Sequence, residues 1–177
     1  MFDKLIDFII NQINNIIPLV IILKFQKGVR YTFGKHSKIL NPGIHFKFPY
    51  LQTVLRDNIV DTTTSLPAQS VITIDKKEVV VKSVIGYRIS NIDKFFNKVY
   101  DTKSAILDIT SAEIKDSVNA NKYNDICKDP INFGELLKNE IQKKVGKYGI
   151  HINFISLTDF TVCSSFRLFN ENNPIGL

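Results

Sequence analysis

The sequence predicts an α+β domain, strands first and helices later, and three observations lead there. Apolar residues alternate with polar ones up to about residue 89, most clearly from Glu78 to Ile89, the period of a half-buried strand. From Asn91 to Val145 they recur at helical spacing behind capping residues. A last run, Ile150–Val162, returns to alternation. At 177 residues, 44% hydrophobic and 23% charged, the chain suits a single domain. That size buries enough surface to need no disulfide or metal, and the composition excludes a disordered or fibrous chain.

The first segment is set apart. Phe2, Leu5, Ile6, Ile9, Ile10, Ile13, Ile16, Ile17 and Val20 fall on one helical face. Asp3, Lys4, Asp7, Asn11, Asn14 and Asn15 fall on the other. The longest run without a polar residue is Ile16–Leu23, interrupted by Pro18, whereas a spanning helix needs about 20 mostly apolar residues. An acidic start without a small-residue cleavage site is no secretory signal. The pattern fits an in-plane amphipathic membrane anchor over residues 1–19. It fits equally a helix packed on protein, because an apolar helical face suits lipid and protein alike.

The domain is expected over residues 20–165. Val20–Phe25 and Val29–Phe33 read as a hairpin turning at Gly28. Gly34 to Asn41 reads as a polar loop and Pro42-Gly43 as a turn. Ile44, Phe46 and Phe48 alternate with His45 and Lys47, a half-buried strand stopped by Pro49, which makes these Phe residues core. Val54–Thr63 and Gln69–Ile74 are further strands around Leu66-Pro67. Asp75-Lys76-Lys77 turns into the longest strand, Glu78–Ile89. Asn91 caps a helix carrying Ile92, Phe95, Phe96 and Val99. A second helix runs from about Lys103 to Val118. Asp129-Pro130 starts a third, proline being preorganised for the first helical position. That helix reaches Gly146 or Gly149, before the last strand. Residues 166–177 form a short tail without a core pattern.

These residues carry a family resemblance. Gly28-Val-Arg-Tyr-Thr-Phe-Gly34, followed by Asn41-Pro-Gly-Ile-His-Phe-Lys-Phe-Pro49, resembles the start of the band-7 (SPFH) domain of stomatins, prohibitins and flotillins. So do Thr73-Ile-Asp-Lys-Lys-Glu-Val-Val-Val81, Ile85-Gly-Tyr-Arg-Ile89 and the closing Tyr148-Gly-Ile-His-Ile-Asn-Phe-Ile-Ser-Leu-Thr-Asp159. Each motif alone is weak; their joint order is specific. The resemblance implies an antiparallel-rich sheet with packed helices behind an amphipathic amino-terminal helix. It implies a membrane-bound scaffold that assembles into rings or cages and organises lipids, a membrane protease or a channel. It implies neither catalytic residues nor a cofactor. Two departures stand out. Cys163-Ser164 occupies a place where many members have proline. The sequence also ends at Leu177, without the coiled-coil wall helix of most members. The expectation is therefore a smaller ring, a patch, or co-assembly with a longer homologue.

Charge sharpens the partner. The net charge is +6, and residues 24–60 hold Lys24, Lys27, Arg30, Lys35, Lys38, Lys47 and Arg56 against Asp57 alone. Juxtamembrane basic stretches bind anionic headgroups, so Lys24, Lys27, Arg30, Lys35, Lys38 and Lys47 are candidate headgroup contacts. The alternative is a solvated strand face in a Lys-biased chain, with 19 Lys to four Arg. Nucleic-acid binding needs exposed aromatics among the basic residues. Tyr31, Phe33, Phe46, Phe48 and Tyr50 interleave with them, but the alternation assigns the Phe residues to the core.

Enzymatic readings are weak. Cys127 or Cys163 with His151 is the one nucleophile–base combination to weigh, and neither cysteine has a feature that lowers a thiol pKa. Asp101, Asp108, Asp125 and Asp129 read as caps and solvated residues. Gly28, Gly34 and Gly43 are isolated and form no phosphate loop. Two cysteines set no metal-ligand spacing and favour a reducing compartment. The expected function is a membrane-associated oligomeric scaffold without enzymatic activity. Its expected partners are membrane lipids, copies of itself or a longer homologue, and a membrane protease or channel. The runner-up is a soluble or virion-associated homo-oligomer using the first helix for protein contacts. A basic nucleic-acid-binding module ranks third.

Overall fold

A computed structural model describes residues 18–163. Residues 1–17 of the expected anchor helix and the tail after Cys163 lie outside the described residues. Elements follow in the order β1 (Leu19–Ile22), β2 (Gln26–Thr32), β3 (Lys35–Leu40), β4 (Gly43–Phe46), β5 (Gln52–Asn58), β6 (Thr62–Ser65), β7 (Gln69–Ile72) and β8 (Glu78–Ile89). Then come α1 (Ile92–Asn97), α2 (Thr102–Ala120), α3 (Tyr123–Lys128), α4 (Pro130–Val145), a 3-10 turn at Gly146–Tyr148, and β9 (Ile150–Val162). The α+β expectation holds, and every strand pair is antiparallel.

The carboxy-terminal half is built on β8. β6 and β7 pair with it end to end along one edge, and β9 covers the other. Val79, Val81, Ile85, Tyr87 and Ile89 are buried at alternate positions, against Ile106, Ile114 and Val118 of α2 and Leu137, Ile141 and Val145 of α4. Each fully buried side chain of this size contributes roughly 1.5–3 kcal/mol. Glycine permits two close approaches. A Cβ at Gly86 would run into the Phe154 ring, which lies over it from β9. Gly149 takes φ +78°, with Asn91 O standing where a Cβ would need room.

The helix starts are capped as the sequence indicates. Asn91, Asp101 and Asp129 accept from the N–H groups of Lys94, Ser104 and Asn132 at 3.0–3.1 Å. The Ser104 N–H also holds the Asp101 carboxyl below its ordinary pKa. Along β9, the Gln142 side chain of α4 donates to Ile150 O (3.1 Å) and accepts from Ile152 N–H (2.7 Å). It thereby takes up backbone groups that β8 leaves unused.

The amino-terminal half is a stack of two β layers. β3-β2-β5 form one sheet and β1-β4 a separate two-stranded ribbon. Three expectations are corrected here, and one helix is added. β1 and β2 do not form a hairpin at Gly28. β1 pairs with β4 instead, and Gly28 lies buried inside β2. The glycine is there for packing: a Cβ would stand 3.2 Å from Ile22 Cδ1 and 3.1 Å from Leu55 O. Lys35–Leu40 is a strand rather than a loop, polar because it is an edge strand with solvent beside it. The run Val54–Thr63 divides at Ile59–Asp61, so that β5 and β6 serve different sheets. The polar segment before Asp129 contains α3. Its start is held from outside, by Asp75 Oδ1 accepting from Tyr123 N–H at 3.1 Å.

Candidate functional site

The ribbon has two unlike faces. Leu19 lies opposite Phe46 and Ile21 opposite Ile44, so the alternation of an antiparallel pair puts all four on one side. Leu19, Phe46, Ile21 and Ile44 are 53%, 50%, 55% and 71% exposed. Val20, Ile22 and His45 form the other side, where Ile22 is buried toward Gly28. Two arginines tie the ribbon to the sheet beneath. Arg56 donates to Ile21 O at 2.7 Å and Arg30 to Phe46 O at 3.4 Å.

Beside the ribbon are two strand-to-strand tips. Phe33 and Gly34 both have positive φ, +52° and +74°, the two-residue turn that matches strand twist. Tyr50, between β4 and β5, has φ +64°. Phe33 N–H donates to Leu51 O at 3.0 Å, which holds the two tips together. A bulky residue in this region is strained by about 1–3 kcal/mol. Phe33 is nevertheless 74% exposed and Tyr50 85%. Phe48 is also exposed and meets the Phe46 ring edge-on at 5.0 Å. Assignment of Phe33, Phe46 and Phe48 to the core is thus wrong. Alternation marks a strand with two sides, but the outer side here faces no other layer.

The opposite side of the β3-β2-β5 sheet is joined to the helices by polar contacts. Tyr31 Oη donates to Asn97 (2.8 Å), His36 Nε2 lies 3.1 Å from Asp93, and Lys103 Nζ lies 2.8 Å from Asp57. Burial pushes the Tyr31 phenol up. These contacts fix the amino-terminal layers on the helical half.

The anticipated headgroup contacts separate into groups. Lys24, in the β1–β2 turn, and Lys35 and Lys38, on β3, are exposed. Lys47, just after β4, is half-buried. Lys27 is half-buried opposite Asp57 in the β2–β5 register. Arg30 is half-buried and occupied with the ribbon. Of the anchor series, Val20 lies half-buried in β1; Phe2, Leu5, Ile6, Ile9, Ile10, Ile13, Ile16 and Ile17 lie outside the described residues.

The cysteine–histidine combinations find no support. His151 lies at the start of β9 and Cys163 just past its end, roughly 35–40 Å apart at strand rise. Cys127 is exposed and lies beside Tyr123, whose phenol it holds above its ordinary value. His151 is exposed opposite Arg88. Among the described residues no three His, Cys, Asp or Glu side chains gather as a metal site. No described helix is long and apolar enough to cross a membrane.

Comparison with known proteins agrees with the fold. Residues 20–167 match the SPFH domain / Band 7 family model. The chain belongs to this family. Band 7 family protein R614 of Acanthamoeba polyphaga mimivirus is 25% identical over 148 residues, 82% of this chain and 48% of that protein. A protein of Archaeoglobus fulgidus is 20% identical over 147 residues, 83% of this chain and 59% of its own length. The Escherichia coli K12 modulator of FtsH protease HflC is 30% identical over 78 residues, 40% of this chain and 23% of HflC. The chain thus spans about half the length of the first two of these relatives. Band 7 proteins are generally modulators or scaffolds rather than enzymes and are typically membrane-associated.

Proposed function

We propose that this protein is a membrane-associated, oligomeric scaffold of the band 7 type. The amino-terminal β layers face the membrane, and the helical half faces partner proteins. The observation that carries this reading is the outer face of the ribbon. Leu19, Ile21, Ile44 and Phe46 form a contiguous apolar surface, and exposed apolar patches of this kind mark membrane or protein contacts. Residues 1–17, whose sequence predicts a helix with one apolar face, join the chain at Pro18, next to that surface.

Two partners follow from this placement. Membrane lipids take up the ribbon face and the amphipathic segment. Copies of this chain, or a longer homologue, assemble beside it. Distant partial similarity to a modulator of FtsH protease adds a membrane protease as a client. A headgroup role is assigned to the exposed Lys24, Lys35 and Lys38 and to the half-buried Lys47, where each charge near an anionic leaflet contributes about 1 kcal/mol.

Vesicle flotation tests the reading. The wild-type chain is expected to float with anionic vesicles, and Ile9→Asp/Ile13→Asp to remain largely in the dense fractions. A wild-type protein that stays soluble and monodisperse in their presence refutes the membrane reading. If the same protein forms a discrete oligomer that Ile9→Asp/Ile13→Asp dissolves, the segment serves protein contacts instead.

A further inference from the structure

Arg30 and Arg56 do more than their two ribbon contacts require. Across the β3-β2-β5 sheet, Lys38 is the register partner of Arg30 on one side and Val54 on the other, with Arg56 two residues beyond Val54. Alternation puts the three cations on one face of the sheet. That face lies under the ribbon, because Arg30 donates to Phe46 O and Arg56 to Ile21 O. Diagonal neighbours in such a ladder are about 7–8 Å apart, so both guanidinium groups can reach one small ligand.

The charge in this layer is not balanced. From Pro18 to Arg56 the chain has no Asp or Glu. Asp57 alternates to the opposite face, where it meets Lys103 at 2.8 Å. Among the described residues no carboxylate pairs with Arg30, Lys38 or Arg56. His45 also faces the layer, but its Nε2 is taken by Asn41 O at 2.6 Å. Arg30 is the less satisfied of the two arginines. It is half-buried, its bond to Phe46 O is long at 3.4 Å, and its buried Nε–H has no acceptor. A buried donor without a partner is costly, and such a group points to a water or an ion. Arg56 and Lys38 are exposed, so the cations can be approached from solvent.

We propose that Arg30 and Arg56, flanked by Lys38, bind a soluble phosphate dianion between ribbon and sheet, either inorganic phosphate or a phosphomonoester. A guanidinium fork matches two oxygens of such a group, and the Nε–H of Arg30 gains the acceptor it lacks. Two forks suit a tetrahedral dianion better than a flat carboxylate with a single charge. A lipid headgroup is the wrong source. The ribbon face assigned to the membrane carries Leu19, Ile21, Ile44 and Phe46, and the two arginines lie behind it. Occupancy fastens the ribbon to the sheet and needs no bilayer.

The phosphorus-31 resonance of inorganic phosphate, recorded with the full chain at constant ionic strength, tests this. Wild type is expected to broaden the line saturably, and phosphate to raise its melting temperature more than chloride does. Arg30→Gln/Arg56→Gln should bind about tenfold more weakly or worse, through loss of charge-assisted hydrogen bonds. Lys98→Gln/Lys115→Gln removes the same charge from exposed positions of the helical half and should bind as wild type does. Equal losses in the two variants reveal a diffuse attraction and overturn the site. So does a wild-type chain that neither broadens the line nor gains stability. Where the double arginine variant fails to fold, Arg56→Gln alone, at an exposed position, must still weaken phosphate. Unchanged binding by that variant overturns the shared site. Arginine-dependent binding confined to vesicles carrying phosphatidylinositol 4-phosphate, with free phosphate and phenyl phosphate ignored, overturns the soluble ligand.

Discussion

The two halves of this molecule place their apolar residues differently. In the carboxy-terminal half, Val79, Ile85, Ile106, Ile114, Ile141 and Ile152 are sealed between β8, β9 and the helices. In the amino-terminal half, Leu19, Ile21, Phe33, Ile44, Phe46, Phe48 and Leu51 face outward. The carboxy-terminal half follows the rule that a sheet buries one face against another layer. The amino-terminal half stacks two β layers and still leaves an apolar side uncovered. One half therefore holds its large apolar side chains in a core, and the other keeps several of them at its surface.

The largest effect is expected where that comparison is starkest. Ile141→Ala removes a fully buried side chain and should cost about 2–5 kcal/mol in denaturant unfolding. Ile44→Ala, on the exposed ribbon face, should stay within about 0.5 kcal/mol. Equal losses at the two sites would erase the distinction between the halves. Next are two left-handed positions with opposite expected signs. Gly149→Ala drives a Cβ against Asn91 O and should lower stability by about 1–3 kcal/mol. Phe33→Asn relieves a strained backbone and should leave the melting temperature unchanged or higher. A marked loss of stability in Phe33→Asn would mean that its ring is held by packing after all.

The smallest effect is a pH dependence confined to the helical half. The Thr73 hydroxyl, followed by the Tyr123 N–H, lowers the Asp75 carboxyl from its ordinary 3.8 to about 2. A carboxylate with a lowered folded-state pKa stabilises fully above its unfolded value and loses that stabilisation as pH falls. Wild type and Asp75→Asn should therefore differ in melting temperature above about pH 4, and converge as pH drops toward 2. A difference that persists unchanged to pH 2 would remove ionisation of Asp75 as its cause.

Sequence and structure agree best where the chemistry is local. The β8 pattern is read directly because its buried residues alternate along the strand. The starts of α1 and α4 are read from Asn91 and Asp129-Pro130, whose caps act within three residues. What escapes such a reading depends on partners distant in sequence. β1 turns to β4 rather than to its neighbour β2. α3 begins where a carboxylate 48 residues away accepts its first N–H. The β2–β3 turn is hidden for another reason. Two-residue turns of this kind announce themselves as Asn-Gly, and here phenylalanine stands in the asparagine position. The basic stretch is legible as charge. Its division into exposed lysines and arginines engaged by the Ile21 and Phe46 carbonyls is not, because that needs the ribbon to be in place.

Gln142 has a consequence for growth of the sheet. Among the described residues β9 pairs only with β8, and an unpaired long edge is a template on which another chain can add a strand. By engaging Ile150 and Ile152, the glutamine side chain imitates a neighbouring strand over the first residues of that template. Strand-on-strand fibre growth is thereby blocked at the end of β9 that follows α4.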